Sequence, residues 1–174
     1  MSLFSIDEFV STVGKKGFQD PTRFQITITG PNGKTLEQDG AKYCCAATAS
    51  GISFDTTDHF IHGPIRNVAA HEKYDDAITL TFYNDYDMSE YNWFYDWMAD
   101  KIGDEKFYIK YYKEYIGELA MVSFDPGGSP RIKVNCAEVY PVSLSPFQFA
   151  YNKRDSIPTF TVTLNCHHIE LSKP

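Results

Sequence analysis

No run of apolar residues in this chain approaches the roughly 18 that would suggest a membrane-crossing helix. The opening MSLFSIDEFV has neither the basic nor the apolar region of a secretory leader. Both absences predict a protein made and kept in a cytosol, with no membrane insertion. The four cysteines, Cys44, Cys45, Cys136 and Cys166, lack any CxxC spacing. In a reducing compartment that predicts small buried hydrophobes rather than a disulfide framework or a metal cage. Cationic charge is short as well: 16 Lys and Arg face 23 Asp and Glu, a formal charge of −7. Gripping a nucleic-acid backbone needs clustered Lys and Arg to displace counterions, so this balance argues against a nucleic-acid-binding module. It leaves open a surface past which nucleic acid slides.

Reaction chemistry is also missing. GKT at 33–35 suggests a phosphate-binding loop, but that motif needs a glycine five positions before Gly33, where Ile28 sits inside a strand pattern. No helix follows to cradle a phosphate, and Asn32-Gly33 reads as a turn. His59 and His62 have a spacing a metal could use, with no third ligand nearby. In Cys166-His167-His168, adjacent strand residues point to opposite faces and do not share an ion. Asp75-Asp76 and Asp85/Asp87 read as turn and strand-edge residues. No Ser-His-Asp set or paired-carboxylate pocket emerges. These absences predict no catalytic residue, no metal and no cofactor. A small metal-dependent enzyme, built on Cys166, His167, His168 and the acidic turns, is the distant alternative. Lys106 to Tyr115 (KFYIKYYKEY) mixes Lys with aromatics, as base-stacking surfaces do; an outer strand or excursion packing at a subunit contact is the preferred reading.

What the chain does have is aromatic side chains, 16% of its residues, including 12 Tyr and 13 Phe. Such numbers suit interfaces, where an apolar ring with a polar tip tolerates a wet rim. The chain is organised around residues 64–102. Ile78, Leu80 and Phe82 alternate with Thr79, Thr81 and Tyr83, which predicts a half-buried strand over Ala77–Tyr83. Asp87 with Glu90 reads as a capping box, with Ser89 a rival cap. The helix that follows packs through Phe94, Met98 and Ile102, with Trp93 and Trp97 beside them, and Gly103 stops it.

Further strands are predicted over Arg23–Thr29, Tyr43–Thr48, Leu119–Phe124, Ile132–Val139 (ended by Tyr140-Pro141) and Thr159–Ile169. Ser5 caps a short N-terminal helix through about Val13. GPNGKTLEQDG (30–40) is a polar loop or hairpin tip. Residues 49–63 form a long loop or extended hairpin with exposed Phe54, Phe60 and Ile61, the mark of a partner contact. About seven strands, mostly antiparallel, predict a mainly β fold. It is an antiparallel β-sandwich or barrel with one central helix and a short N-terminal helix. A single domain, 1–174, is the simplest organisation, with an N-terminal arm over 1–20.

The order of these motifs resembles the tail tube proteins of T-even-like contractile bacteriophages. The resemblance is carried by FQITI (24–28), CAATA (45–49), NVAAHEKYDDAITLTFYND (67–85), FYDW (94–97), VYPVSLSPFQFAY (139–151) and IPTFTVTL (157–164). The chain departs from that pattern by a longer loop at 30–40 and extra C-terminal residues. The resemblance implies a structural virion protein of the phage tail, assembled in the bacterial host cytoplasm. Its partners would be further copies of itself in hexameric rings, stacked into a tube within a sheath and on a baseplate. Phage DNA would pass through the channel at ejection without specific binding. A ring of six would carry six times −7, or −42, formal charges, and an acidic bore would repel the DNA backbone. By position, 49–63 is the family's ring-stacking loop, with Phe54, Phe60 and Ile61 as anchors. Thr79, Thr81, Thr159, Thr161 and Thr163 are candidates for the lumen; ordinary outer surface is the competing reading. A baseplate-proximal tube initiator, or the tube of a phage-tail-like injection particle, is the alternative within the same class.

Overall fold

Alternation of apolar and hydroxyl-bearing side chains makes Ile78–Tyr83 a strand with two unlike faces, and the same pattern recurs in Thr159–Asn165. In the computed structural model these two strands lie side by side, Ile78 opposite Leu164 and Phe82 opposite Phe160. The structure describes residues 6, 10–11, 14, 17–36, 41–49, 51, 53–60, 63, 65–73, 77–103, 108–146 and 157–173. The short N-terminal helix read over 5–13 falls largely outside them.

Nine strands are described: β1 (Phe24–Thr29), β2 (Cys44–Thr48), β3 (Ser53–His59), β4 (Arg66–Lys73), β5 (Ile78–Tyr83), β6 (Gly117–Phe124), β7 (Pro130–Leu144), β8 (Thr159–Asn165) and β9 (His168–Ser172). Seven form one antiparallel sheet in the order β1-β6-β7-β8-β5-β2, with β9 also paired to β7. The sheet has two arms that share β7. One holds β1, β6, β9 and the first half of β7; the other holds β2, β5, β8 and residues 140–144. Ile26, Ile28 and Leu119 from the first arm join Leu80, Phe82 and Val162 from the second in a single buried core. A mainly β, sandwich-like architecture follows.

Strand β7 differs from expectation because Tyr140-Pro141 bends it without ending it. Glu138, at φ 55°, is an extra residue opposite Gly117 and Glu118. Such a bulge reverses the inward–outward parity, so Cys136 and Val139, three apart, are both buried. Pro141 lacks an N–H for the ladder and sits at a second irregularity, between Pro141 and Ser143. The predicted single strand Thr159–Ile169 is likewise two strands. It follows the bend of β7 and breaks at Cys166-His167, with β8 on the second arm and β9 on the first. Of the outer strand or excursion expected within Lys106–Tyr115, the described part shows no strand and one helical turn, α2 (Tyr112–Tyr115).

The central helix α1 (Ser89–Asp96) continues as a π-type segment, Trp97–Ile102, closed where the Gly103 N–H donates to the Met98 carbonyl at 3.1 Å. Its start is not the expected capping box. Asp85, two residues earlier than Asp87, accepts the Ser89 N–H at 2.9 Å, while Met88 takes a left-handed conformation and Glu90 is buried. Phe94 is fully buried, 5.5 Å from the Phe82 ring, which itself stacks on Phe160 at 5.3 Å. Trp93 and Trp97 meet edge-on at 5.1 Å, and the Trp97 indole N–H donates to the Tyr115 carbonyl at 2.8 Å.

Glycine is required where these indoles press on the first arm. A Cβ on Gly117 would lie 2.3 Å from the Thr29 carbonyl oxygen and 2.7 Å from the Trp97 ring. The Asn32-Gly33 turn is as expected: both residues have positive φ, 62° and 72°, and Gly30 N–H bonds to the Lys34 carbonyl at 2.7 Å. That turn brings Leu36 back into the core.

At the β6–β7 turn, Asp125 accepts the Ser129 N–H at 2.9 Å and pairs with Arg131 at 2.7 Å. Arg23 reaches the same turn through the Pro126 carbonyl at 2.8 Å and pairs with Asp20 at 3.1 Å.

Two predictions test this account. Gly117→Ala should cost about 1–3 kcal/mol in chemical denaturation, because a backbone oxygen cannot step aside; an unchanged midpoint would mean Trp97 does not seat there. The Asp125 carboxyl is held below its ordinary 3.8 by the Ser129 N–H and then Arg131. Its folded value is depressed, so its stabilising contribution is full above the unfolded value and is lost as pH falls through the folded one. A carboxyl NMR titration should place the Asp125 midpoint below 3.8, and Arg131→Gln should raise it.

Candidate assembly surfaces

Of the two readings of 49–63, a long loop or an extended hairpin, the structure shows the hairpin, and it extends beyond 63 through Lys73. β3 and β4 pair only with each other among the described residues, forming a separate two-stranded sheet. The register runs from Ser53 opposite Lys73 to His59 opposite Arg66, with a bulge between Asp55 and Thr56. Asp55 and His71 form an exposed ion pair at 3.0 Å, which contributes little in water. An isolated two-stranded hairpin is marginal by itself. This one nevertheless leaves Phe54 58%, Phe60 68%, Ile65 64% and Val68 51% exposed. Exposed apolar side chains on a ribbon paired with no other described strand make it a candidate contact surface. Ile61 lies outside the described residues. Sequence reasoning missed Ile65 and Val68, since β4 was not recognised as a strand; its alternation is blurred by Ala69, Ala70 and His71.

The threonines predicted to face away from the core do so as one set. Thr79 lies opposite Thr163 and Thr81 opposite Thr161, their hydroxyl oxygens 3.4 Å apart in the second pair. Thr159 is exposed opposite Tyr83. The structure extends this row to Thr48, opposite Thr79, and Ser143, opposite Thr163. Neither was found from sequence, because neither sits in a Thr-X-Thr run. The four strand segments of this arm, CCAAT, ITLTFY, TFTVTLN and YPVSL, contain no Asp, Glu, Lys or Arg. The formal charge of −7 therefore resides outside these strand segments, and the hydroxyl face is neutral.

The helix-packing residues divide by depth. Phe94 and Trp97 are buried and Trp93 is partly buried against the core. Met98 lies at the surface side with Tyr91, Tyr95, Ala99 and Leu144, lining an apolar groove of about 360 Å³. Below it, Tyr112, Tyr115 and Tyr140 pack edge to face, with centroids 5.5–6.3 Å apart, and the Tyr112 hydroxyl donates to Glu138 at 3.0 Å. Partial burial, then the Glu138 carboxylate, pushes the Tyr112 phenol up to about 12. The residues that sequence reading set aside as metal decoys take these places. His59 ends β3, His62 lies outside the described residues, and His167 turns the corner between β8 and β9 by donating its N–H to the Ala137 carbonyl at 3.3 Å.

A bent antiparallel sheet closed by one helix, with a separate two-stranded hairpin bearing exposed Phe54 and Val68 and a neutral hydroxyl face, defines a mainly β protein with distinctive exposed surfaces. The chain belongs to the phage tail tube protein family, which matches residues 19–169. It is thus a structural tail tube subunit, a component of a virion or injection particle. No curated protein matches it individually. Among solved structures it is similar to a chain of the PVC extracellular contractile injection system, in its sheath–tube complex in the extended state. The TM-score is 0.67 at 15% identity, covering 99% of this chain and 100% of that one. A chain of the anti-feeding prophage baseplate gives 0.66 at 9% identity, with 99% and 98% covered. The Hcp1 protein of the E. coli EAEC 042 pathovar gives 0.53 at 10%, with 87% and 91% covered. At these identities the likeness is one of fold.

Because Phe54 and Phe60 touch so little of their own subunit, replacing both with Ser should change the stability of dilute protein by no more than about 0.5 kcal/mol. Thermal denaturation of dilute protein checks this. A large loss would place the hairpin against its own sheet.

Proposed function

We propose that copies of this chain close into six-membered rings that stack into a hollow tube, surrounded by a sheath and seated on a baseplate. The observation that carries the proposal is the projecting β3–β4 hairpin on a chain that belongs to the tail tube family. Phe54 and Phe60 are the described anchors of ring stacking, with Ile61 beside them in sequence. The solved relatives support this assembly: one comes from a sheath–tube complex, one from a six-fold symmetrised baseplate and one from a tube-terminating cap. The whole chain, 1–174, acts as one tube-forming domain, with 1–20 as its arm. Among the described residues β2 has no strand on its outer side and β1 is covered there only at Ile28–Thr29 by Thr35–Leu36; neighbouring subunits would satisfy the backbone groups left on those edges.

In this reading Thr79, Thr81, Thr159, Thr161 and Thr163 line the bore. A neutral hydroxyl wall offers phosphates no cation to bind, so DNA passes without specific binding, and the net negative charge of the rings discourages adsorption elsewhere. The subunit carries out no reaction. It assembles in the bacterial host cytoplasm and ends in the tail of the virion. The tube of a protein-delivering injection particle is a second reading, supported by the full-length likeness to the PVC chain; the cargo inside purified particles separates the two.

Negative-stain electron microscopy across a concentration series tests the assembly. Six-fold rings at low concentration and hollow filaments at high concentration are expected. F54S/F60S should keep the rings and lose the filaments. Monomers at every concentration, with purified baseplates present, would overturn the proposal.

A further inference from the structure

The N-terminal arm carries apolar side chains that its own subunit does not cover. Positions 6, 10, 11 and 14 are helical, and Ile6 and Val10, four apart, lie on one face of that helix. Ile6 is 80% exposed, and Val10 and Phe18 stand open to solvent as well. Gly17, at φ 68°, has the left-handed backbone found after helix ends. A helix this short is marginal in water without a surface to pack on. The arm leaves its own subunit far from the nearest apolar groove. Gln19 donates to the Ser123 hydroxyl at 3.0 Å and Arg23 to the Pro126 carbonyl, which fastens the chain to the β6–β7 turn. From there β1 runs five residues, about 17 Å, before Thr29 reaches Gly117 and the Trp97 ring. At that end, beside the central helix, Tyr91, Tyr95, Met98, Ala99 and Leu144 line the groove of about 360 Å³, with room for more than one aliphatic side chain. Its rim is acidic: Asp96 and Asp100, one turn apart, are exposed next to Tyr95 and Ala99. The arm is acidic at Asp7-Glu8 and basic at Lys15-Lys16, so one end of it complements that rim.

We propose that the N-terminal arm of one copy docks in the α1 groove of a second copy. Ile6 and Val10 enter the groove between Tyr95, Met98 and Leu144, and Lys15-Lys16 lie over Asp96 and Asp100. Docking of this kind rests on the assembly of copies proposed above. It ties neighbouring subunits by a contact separate from the β3–β4 hairpin, covering apolar groups on both sides that the lone subunit leaves in water.

The test places a photoreactive benzophenone amino acid at position 11 of the full chain, beside the two anchors. This protein is mixed with an equal amount of heavy-isotope-labelled chain lacking the probe, at a concentration that gives rings or filaments. The sample is irradiated, digested and mapped by mass spectrometry, and a portion is viewed by negative-stain electron microscopy. Expected is a cross-link from position 11 to a peptide within 91–99, found in light and heavy forms alike, which joins two copies. I6S/V10S should lower its yield roughly tenfold or more. Ala99→Lys, which crowds the groove and repels Lys15-Lys16, should do the same. All three sites are exposed, so the Tm of dilute protein should stay unchanged in both variants. Four outcomes would overturn the docking and leave the ring proposal standing: assembled rings with no such cross-link, a link to light 91–99 alone, a link elsewhere on a second copy, or a link that runs only to added sheath protein. Monomers with no cross-link would overturn both.

Discussion

Strand β7 has to serve two sheet arms at once, and the rest of the molecule depends on how it does so. Fifteen residues long, it pairs with β6 and β9 at its start and with β8 at its end. A flat strand could not bury Cys136 and Val139 together. The extra residue at Glu138 reverses the parity, and the proline three positions on releases the ladder where the second arm begins. The two arms then face each other over one core, and the helix closes the end where they diverge. Phe94 enters among Phe82 and Phe160, while Trp97 rests on the bare backbone of Gly117. The bulge, the glycine and the indole are parts of a single packing solution.

Legibility from sequence followed periodicity. Strands β1, β2, β5 and β6 alternate cleanly or end at strong turn residues, so their positions and inward faces are readable. The Thr79/Thr81 and Thr161/Thr163 faces are legible for the same reason. What escapes is whatever depends on partners distant in the chain. The bend in β7 cannot be seen because Tyr140-Pro141 carries the same local signal whether a strand ends or turns a corner. The split between β8 and β9 is invisible because it is imposed by that bend. β4 was missed because its alanines weaken the pattern, and with it the true extent of the hairpin. At the helix start the sequence points to Asp87 with Glu90, but Met88 takes a left-handed conformation and Asp85 accepts the Ser89 N–H instead.

Charge is segregated in a way composition conceals. One arm carries Glu118, Lys133 and Glu170, and the other carries no charged residue in any strand. A net charge read from the whole chain says nothing about which face bears it. Here the most regular and hydroxyl-rich face is also the one without charge. Its chemistry is that of water-like groups exchanging hydrogen bonds, whatever passes over it.

The pairing of β1 with β6 also sets a clock on synthesis. Phe24 finds its partner at Ser123, so nearly a hundred residues must emerge before the first strand has its sheet neighbour, beyond the short Thr29–Thr35 bridge. At about 5–20 residues per second that is a wait of roughly 5–20 s on the ribosome. Throughout it, the Phe24, Ile26 and Ile28 edge has neither sheet nor core to join. The chain thus leaves the ribosome with its first described strand made early and joined to its sheet late.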